Sequence, residues 1–151
     1  MAYNKKFKIK GLKEKDSFSD ASGIILRQKL KSVFSEIAKY NSDDSPDNLH
    51  SLRIASRRFR YNLEIFYDCL KPGLFKYIYE KVKNMQDTMG ELRDLHVFED
   101  KISKMQADIG QETSFYFLNK FSEEQKVINK KIQEELSKFI SDDQIKKLLI
   151  K

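Results

Sequence analysis

One cysteine, two prolines, five glycines and no tryptophan stand among 151 residues. With Cys69 alone, an intramolecular disulfide and any cysteine-based zinc site are excluded. Pro46 and Pro72 are the only helix-breaking prolines, so long stretches are free to run as helix. No apolar run approaches membrane-spanning length, and MAYNKKFKIKGLKEKDSFSD lacks the apolar core of a signal peptide. A cytoplasmic, reducing location away from membranes is therefore expected. Equally missing are a Gly-rich phosphate loop, a nucleophile motif and a paired-carboxylate constellation. Neither catalysis nor a cofactor is expected.

What the chain does have is charge, 34% of its residues, with an excess of +6. Together with eleven Phe and seven Tyr for a core, this is the profile of a helix-rich globular domain of ordinary single-domain size. A basic balance turns attention to polyanions, but only the placement of the charges can separate a binding face from a solvated one.

Residues 1–18 read as a basic arm, with Phe7 and Ile9 alternating against Lys6, Lys8 and Lys10; a flexible tail is preferred over an extended strand. Residues 19–151 read as one helical bundle. Asp20 or Ser22 is the expected N-cap of a first helix to about Tyr40, with Leu26, Leu30, Val33 and Ile37 buried. Ser45-Pro46-Asp47 is a strong start signal for a second helix, which should run to Cys69 or Leu70 before Lys71-Pro72-Gly73. A third helix is expected from Leu74 to about Asp108 and a fourth from Glu112 to Phe139. Their inward stripes run from Ile78 to Met105 and from Leu118 to Phe139. Ser141 with Gln144 resembles a capping box for a short last helix to Ile150. The expected fold is all-α, an antiparallel four-helix bundle with a short additional C-terminal helix.

The informative segment is NLHSLRIASRRFRYNLEIF, Asn48 to Phe66. On a helix, His50, Arg53, Arg57 and Arg60 fall at spacings of three, four and three and share a face, while Leu52, Ala55, Phe59, Leu63, Phe66 and Leu70 take the opposite one. The row from His50 to Arg60 is about 15 Å long, suited to a chain of phosphates rather than to one. Arginine supplies a planar fork for phosphate oxygens and stays charged at physiological pH. Arg58, about 100° off the row, can widen the face or meet an acid on a neighbouring helix.

On the third helix Lys76, Lys83 and Gly90 recur every seven residues, and Arg93 follows. A mid-helix glycine such as Gly90 marks a bend or a close approach, and here it would leave room for arginines or ligand. Against this stands the bland alternative, a row of arginines paired with carboxylates of adjacent helices, which contributes little. Glu64 is placed to neutralise the end of the row, yet Leu49 to Leu63 contains no acid. His50 gains meaning from its alignment with three arginines, and its contribution to phosphate binding should grow toward mildly acidic pH. His96 and Asp94 stand two apart and do not converge on a helix face, so a metal site is not expected.

His50-x-x-Arg53-Ile54-x-x-Arg57-Arg58-Phe59-Arg60, followed by Met89-Gly90-x-x-Arg93-Asp94-x-x-Val97, resembles the CHAD domain, a histidine-bearing α-helical domain whose members bind inorganic polyphosphate. The resemblance implies helical bundles with a basic surface for polyphosphate and no metal or turnover. It maps the ligand to His50, Arg53, Arg57, Arg58, Arg60 and Arg93, with Asp94 as a structural pairing partner. Lys83, Arg27 and Lys31 join this set on facing and charge. The family carries two such four-helix halves in one chain, whereas here the motif occurs once. A homodimer that rebuilds the missing half is therefore expected.

Two other readings use the same residues. A histidine phosphotransfer domain would phosphorylate His50, but that histidine opens its helix and the arginine row exceeds one phosphoryl group. Nucleic-acid binding would engage the same phosphate-reading face, but no base-reading motif accompanies it.

Overall fold

The computed structural model describes residues 9–110 and 115–150. They form a helical bundle of α1 (Phe18–Ser42), α2 (Pro46–Ile65), α3 (Pro72–Ile109), α4 (Phe115–Ser141) and α5 (Asp143–Ile150), with a 3-10 turn at Tyr67–Cys69. No strand occurs among the described residues, so the fold is all-α. α2 packs between α1 and α3, α4 lies against α3, and α5 returns to α1.

The helix ends show which local signals decided the boundaries. α1 is capped by Ser17, not by Asp20 or Ser22: the Ser17 hydroxyl accepts from the Asp20 amide at 3.0 Å and donates to its carboxylate at 2.7 Å. Ser22 is buried within the helix and donates to the Ser19 carbonyl. At α2 the expected start holds, with Ser45 Oγ accepting from the Asn48 amide and Pro46 in the first turn. α2 stops at Ile65, short of the expected Cys69 or Leu70, because the chain tightens into the 3-10 turn ahead of Pro72. Cys69 and Leu70 still pack against the core. Gly110, at φ 71°, closes α3 in the left-handed conformation that favours glycine.

Part of the expected flexible arm is ordered by local bonds. Residues 9–16 form turns, with Gly11 at φ 90° beside Ile24 and the Lys13 amide donating to the Asp16 carboxylate at 2.7 Å. Lys6, Phe7 and Lys8, and the proposed α4 start at Glu112, lie outside the described residues.

The core forms where the predicted stripes meet. Leu26, Leu30, Val33 and Ile37 of α1 close on Leu49, Leu52, Phe59 and Leu63 of α2, on Ile78, Val82, Met85, Met89 and Leu92 of α3, and on Ile132, Leu136 and Phe139 of α4. Two expected core residues are not covered: Met105 is 58% exposed and Leu118 is 45% exposed. Both lie where α3 and α4 run past the turn joining α1 to α2. That turn is moored lower on α4, where Asp44 accepts from Asn129 and Tyr40 donates to the same residue.

α5 is capped by Asp142 instead of Ser141. Asp142 Oδ1 accepts from the amides of Gln144 and Ile145, while the Ser141 hydroxyl turns back to the Ser137 carbonyl. Its other oxygen reaches α3, accepting from Tyr77 at 2.6 Å and from Lys81 at 2.9 Å. Burial pushes this carboxyl up, but the Tyr77 hydroxyl, the Lys81 ammonium and the Ile145 amide outweigh it and hold it down at about 2. Asp142→Ala is expected to cost about 1–2 kcal/mol at pH 7, by loss of the cap and the charged bonds. Because the folded carboxyl titrates below the unfolded one, the wild-type advantage should be complete above about pH 4 and fade toward pH 2. Urea melts of both proteins at pH 7 and pH 3 check the loss and its direction.

Candidate polyanion site

The apolar face of α2 sets the direction of every charged group on it. With Leu49, Leu52, Phe59 and Leu63 wholly buried, the flank bearing His50, Arg53, Arg57 and Arg60 is turned toward the seam with α3. One hydrogen bond and one electrostatic proximity mark that seam. Near the end of α2, Glu64 accepts a 2.8 Å hydrogen bond from Tyr79, early in α3. Near the start of α2, Arg53 lies within electrostatic reach of Arg93 and Asp94, late in α3.

Arg53 is the centre of the site. Burial is the largest influence lowering its guanidinium below the ordinary value, followed by the positive charges of Arg57 and Arg93, with Asp94 acting in the opposite direction. An arginine stays protonated under any such perturbation. Three cations from two helices are thus gathered around one partly buried guanidinium, Arg53, with Arg93 also partly buried and Arg57 exposed. Among the described residues no carboxylate lies within 4.0 Å of Arg53, Arg57 or Arg93. Asp94, expected as a pairing partner, acts on Arg53 at longer range and forms no ion pair there.

The end of the row is different. Arg60 Nε stands 3.6 Å from Glu64 Oε1, a charge contact too long for a hydrogen bond, and its guanidinium lies 5.5 Å from the Tyr61 ring. Glu64 neutralises this end, as its spacing suggested. His50, exposed in the first turn of α2, stands at the opposite end.

On α3 the residues nearest the seam are Tyr79, Gln86 and Arg93, which recur every seven residues. Lys76, Lys83 and Gly90, which share a seven-residue spacing, stand roughly 40–60° further round the same flank. Lys76 is drawn to Glu80 at 4.0 Å, and Lys83 is exposed. Tyr79 and Gln86 were missed because neither carries charge; their heptad spacing with Arg93 was the available signal. Gln86 Oε1 is buried without a hydrogen-bond partner.

Three predicted cations lie elsewhere. Arg58 is on the other flank of α2, where it lines a shallow cavity with Lys29, Ser32 and Glu36 of α1. Arg27 and Lys31 fall on the side of α1 that carries Phe34, whose ring meets Phe139 of α4 at 6.0 Å. That side is turned away from α2, so the structure does not bring them to the row. His96 shares a polar recess with Asp44, Gln125 and Asn129 on the α4 side. Burial lowers its imidazole, with Glu99 opposing, and its Nδ1 has no hydrogen-bond partner. No group of three His, Cys, Asp or Glu side chains suited to a metal occurs among the described residues.

No neighbouring helix closes on Gly90. The helix runs through it, and a Cβ built there meets nothing within 4 Å. Packing therefore does not account for the glycine. Gly90→Ala is expected to raise stability by about 0.5–1 kcal/mol, the helix-propensity gain in open space. A denaturant melt with a lowered midpoint would show that the position is tighter than its geometry.

No helix among the described residues is long and apolar enough to cross a membrane. No curated protein and no solved structure matches the chain. A match to the family model of the CHAD domain extends over residues 5–103, from the basic arm through the row of α2 and the Arg93 segment into the later part of α3. With both arginine-bearing segments inside it, the chain belongs to the CHAD domain family, a polyphosphate-binding family, of which it carries a partial-length copy.

Proposed function

We propose that this protein binds inorganic polyphosphate along the α2–α3 seam, without turnover, and that it does so as a homodimer. The observation that carries the reading is the gathering of Arg53, Arg57 and Arg93 with no carboxylate within 4.0 Å of them among the described residues. Like charges held around the partly buried Arg53 disfavour the free protein, and an anion threaded between them relieves the repulsion while accepting their hydrogen bonds. His50 and Lys83 extend the contact at either side. Arg60 contributes less, because Glu64 already satisfies part of its charge. Arg58, Arg27 and Lys31 serve a long polymer only where it leaves the seam.

The helical arrangement is inferred to be an antiparallel four-helix bundle closed by α5. Supporting it are the reversed order of the Glu64–Tyr79 and Arg53–Arg93 contacts, and the pairs Gln125–Glu99, Thr88–Glu135 and Lys81–Asp142 between α3 and the α4–α5 segment. A cytoplasmic location accords with the lone free Cys69. No base-reading motif accompanies the seam, and its cations form a row about 15 Å long that suits a slender single chain. Polyphosphate is therefore expected to outcompete short DNA or RNA duplexes of equal phosphate content; equal affinity would favour the nucleic-acid reading.

Polyphosphate titration of the wild type and of the Arg53→Ala/Arg57→Ala/Arg93→Ala variant tests the site directly. The variant should lose binding by at least tenfold while keeping its helical circular dichroism, and retained affinity would remove the seam as the site. With about four phosphates neutralised, wild-type affinity should fall on the order of 50-fold between 50 and 200 mM salt. His50→Gln should weaken binding less than the triple variant does, since His50 stands exposed at the end of the row.

A further inference from the structure

Away from the basic seam, α3 and α4 continue past the α1–α2 turn as a two-helix projection. Its α3 limb, residues 97–109, extends roughly 20 Å. On α4 the core stripe runs on beyond its cover, while on α3 a separate apolar stripe begins, turned roughly 140° from the Ile78–Leu92 face. On α3, Phe98, Ile102, Met105 and Ile109 follow at spacings of four, three and four. On α4, Leu118 and Phe121 prolong the stripe of Ile128, Ile132 and Leu136. Phe98 and Phe121 meet at 5.9 Å between ring centroids and tie the two limbs together. Yet Phe98 is 49% exposed, Ile109 61% and Phe115 79%. Together with Met105 and Leu118 they leave on the order of 500 Å² of apolar surface in water, at the upper range for a monomer's largest patch.

We propose that this projection is the dimerisation surface: the α3–α4 limbs of two copies pack across a two-fold axis into an intermolecular four-helix layer. The inference deepens the homodimer of the preceding section and rests on it. Two features select a second copy as the occupant. The first is charge. The described limbs carry Glu99, Asp100, Asp108, Glu123 and Glu124 against Lys101, Lys104, Lys120 and Lys126, nearly balanced in a chain of net charge +6. Two copies can meet here without the mutual repulsion that the basic seam would impose, and interspersed signs can pair across a two-fold axis. The second is area. An ordinary stable interface takes about 800 Å² from each partner, somewhat over half of it apolar, which is what the patch offers. The most exposed of these residues, Met105, Ile109 and Phe115, lie beyond residue 103, where the family match ends. Association through the projection leaves the Arg53, Arg57 and Arg93 seam of each copy open to the polymer.

Sedimentation equilibrium of the full chain without polyphosphate, at 1–100 µM, reads the proposal. The wild type should approach twice the 17.9 kDa chain mass, and Met105→Glu/Ile109→Glu should return it to 17.9 kDa with unchanged helical circular dichroism. Both substitutions are at exposed positions, so the fold should survive them; Phe115→Ser provides a second, milder variant that should weaken association at least tenfold. A dimer that persists in both variants would overturn the projection as the interface while leaving the homodimer standing. A wild type that stays monomeric at 100 µM would overturn both. Polyphosphate titration of the monomeric variant separates either result from the seam itself, whose contact with short polymers should be retained.

Discussion

The buried face of α2 is the constraint from which the charged surface follows. Leu49, Leu52, Phe59 and Leu63 are sealed between α1 and α3, and a helix held at four such points has no freedom to roll. Its arginines must therefore project where the helical repeat sends them. Turning Arg53 and Arg57 away from Arg93 would require lifting this stripe into water, at about 1.5–3 kcal/mol for each large side chain exposed. Repulsion between partly solvated cations is smaller than the sum of those terms. The apolar core thus holds together a charge pattern that would disperse if the helices were free.

That pattern is graded along the seam. At one end Glu64 binds Tyr79 and stands against Arg60, so charge is matched and the contact between α2 and α3 is structural. Toward His50 the matching stops, and Arg53 is left with two cationic neighbours and only the distant influence of Asp94. A solvated face would have its acids interleaved throughout. Here the neutralising pair secures the helices at one end and lets the other remain electropositive, and Gly90 keeps the flank of α3 free of a side chain beside that stretch.

Much of this was legible in the sequence, for reasons that differ from element to element. Ser45-Pro46-Asp47 predicted the start of α2 because its effect is local to one turn. The stripe from Leu26 to Ile37 and the row from His50 to Arg60 were readable because both are periodic within a single helix. The errors concern what periodicity omits. Arg27 and Lys31 have the right charge on the wrong flank of α1, since the choice of flank depends on which neighbour α1 packs against. Leu118 keeps the rhythm of the α4 core but lacks a cover, because the relative lengths of the helices decide where the core stops, whereas Met105 stands on an α3 stripe that has drifted off the Ile78–Leu92 face. Ser17, three residues before Asp20 and five before Ser22, and Asp142, one after Ser141, displaced the expected caps with a hydroxyl and a carboxylate oxygen placed to accept from first-turn amides.

The two surfaces are also related by charge segregation. An apolar patch within the arginine row would have to associate against the repulsion of two basic faces, and a polymer bound there would compete with the second copy for the same space. Placing the apolar residues on a nearly neutral projection removes both conflicts. On the proposed reading, dimerisation would depend weakly on salt, because it would bury hydrocarbon, while polymer binding would depend on it steeply, because it would release counterions. Two seams carried on one rigid dimer would raise the local concentration of the second site for a polymer already held by the first, and a short row of cations can then retain a long anion.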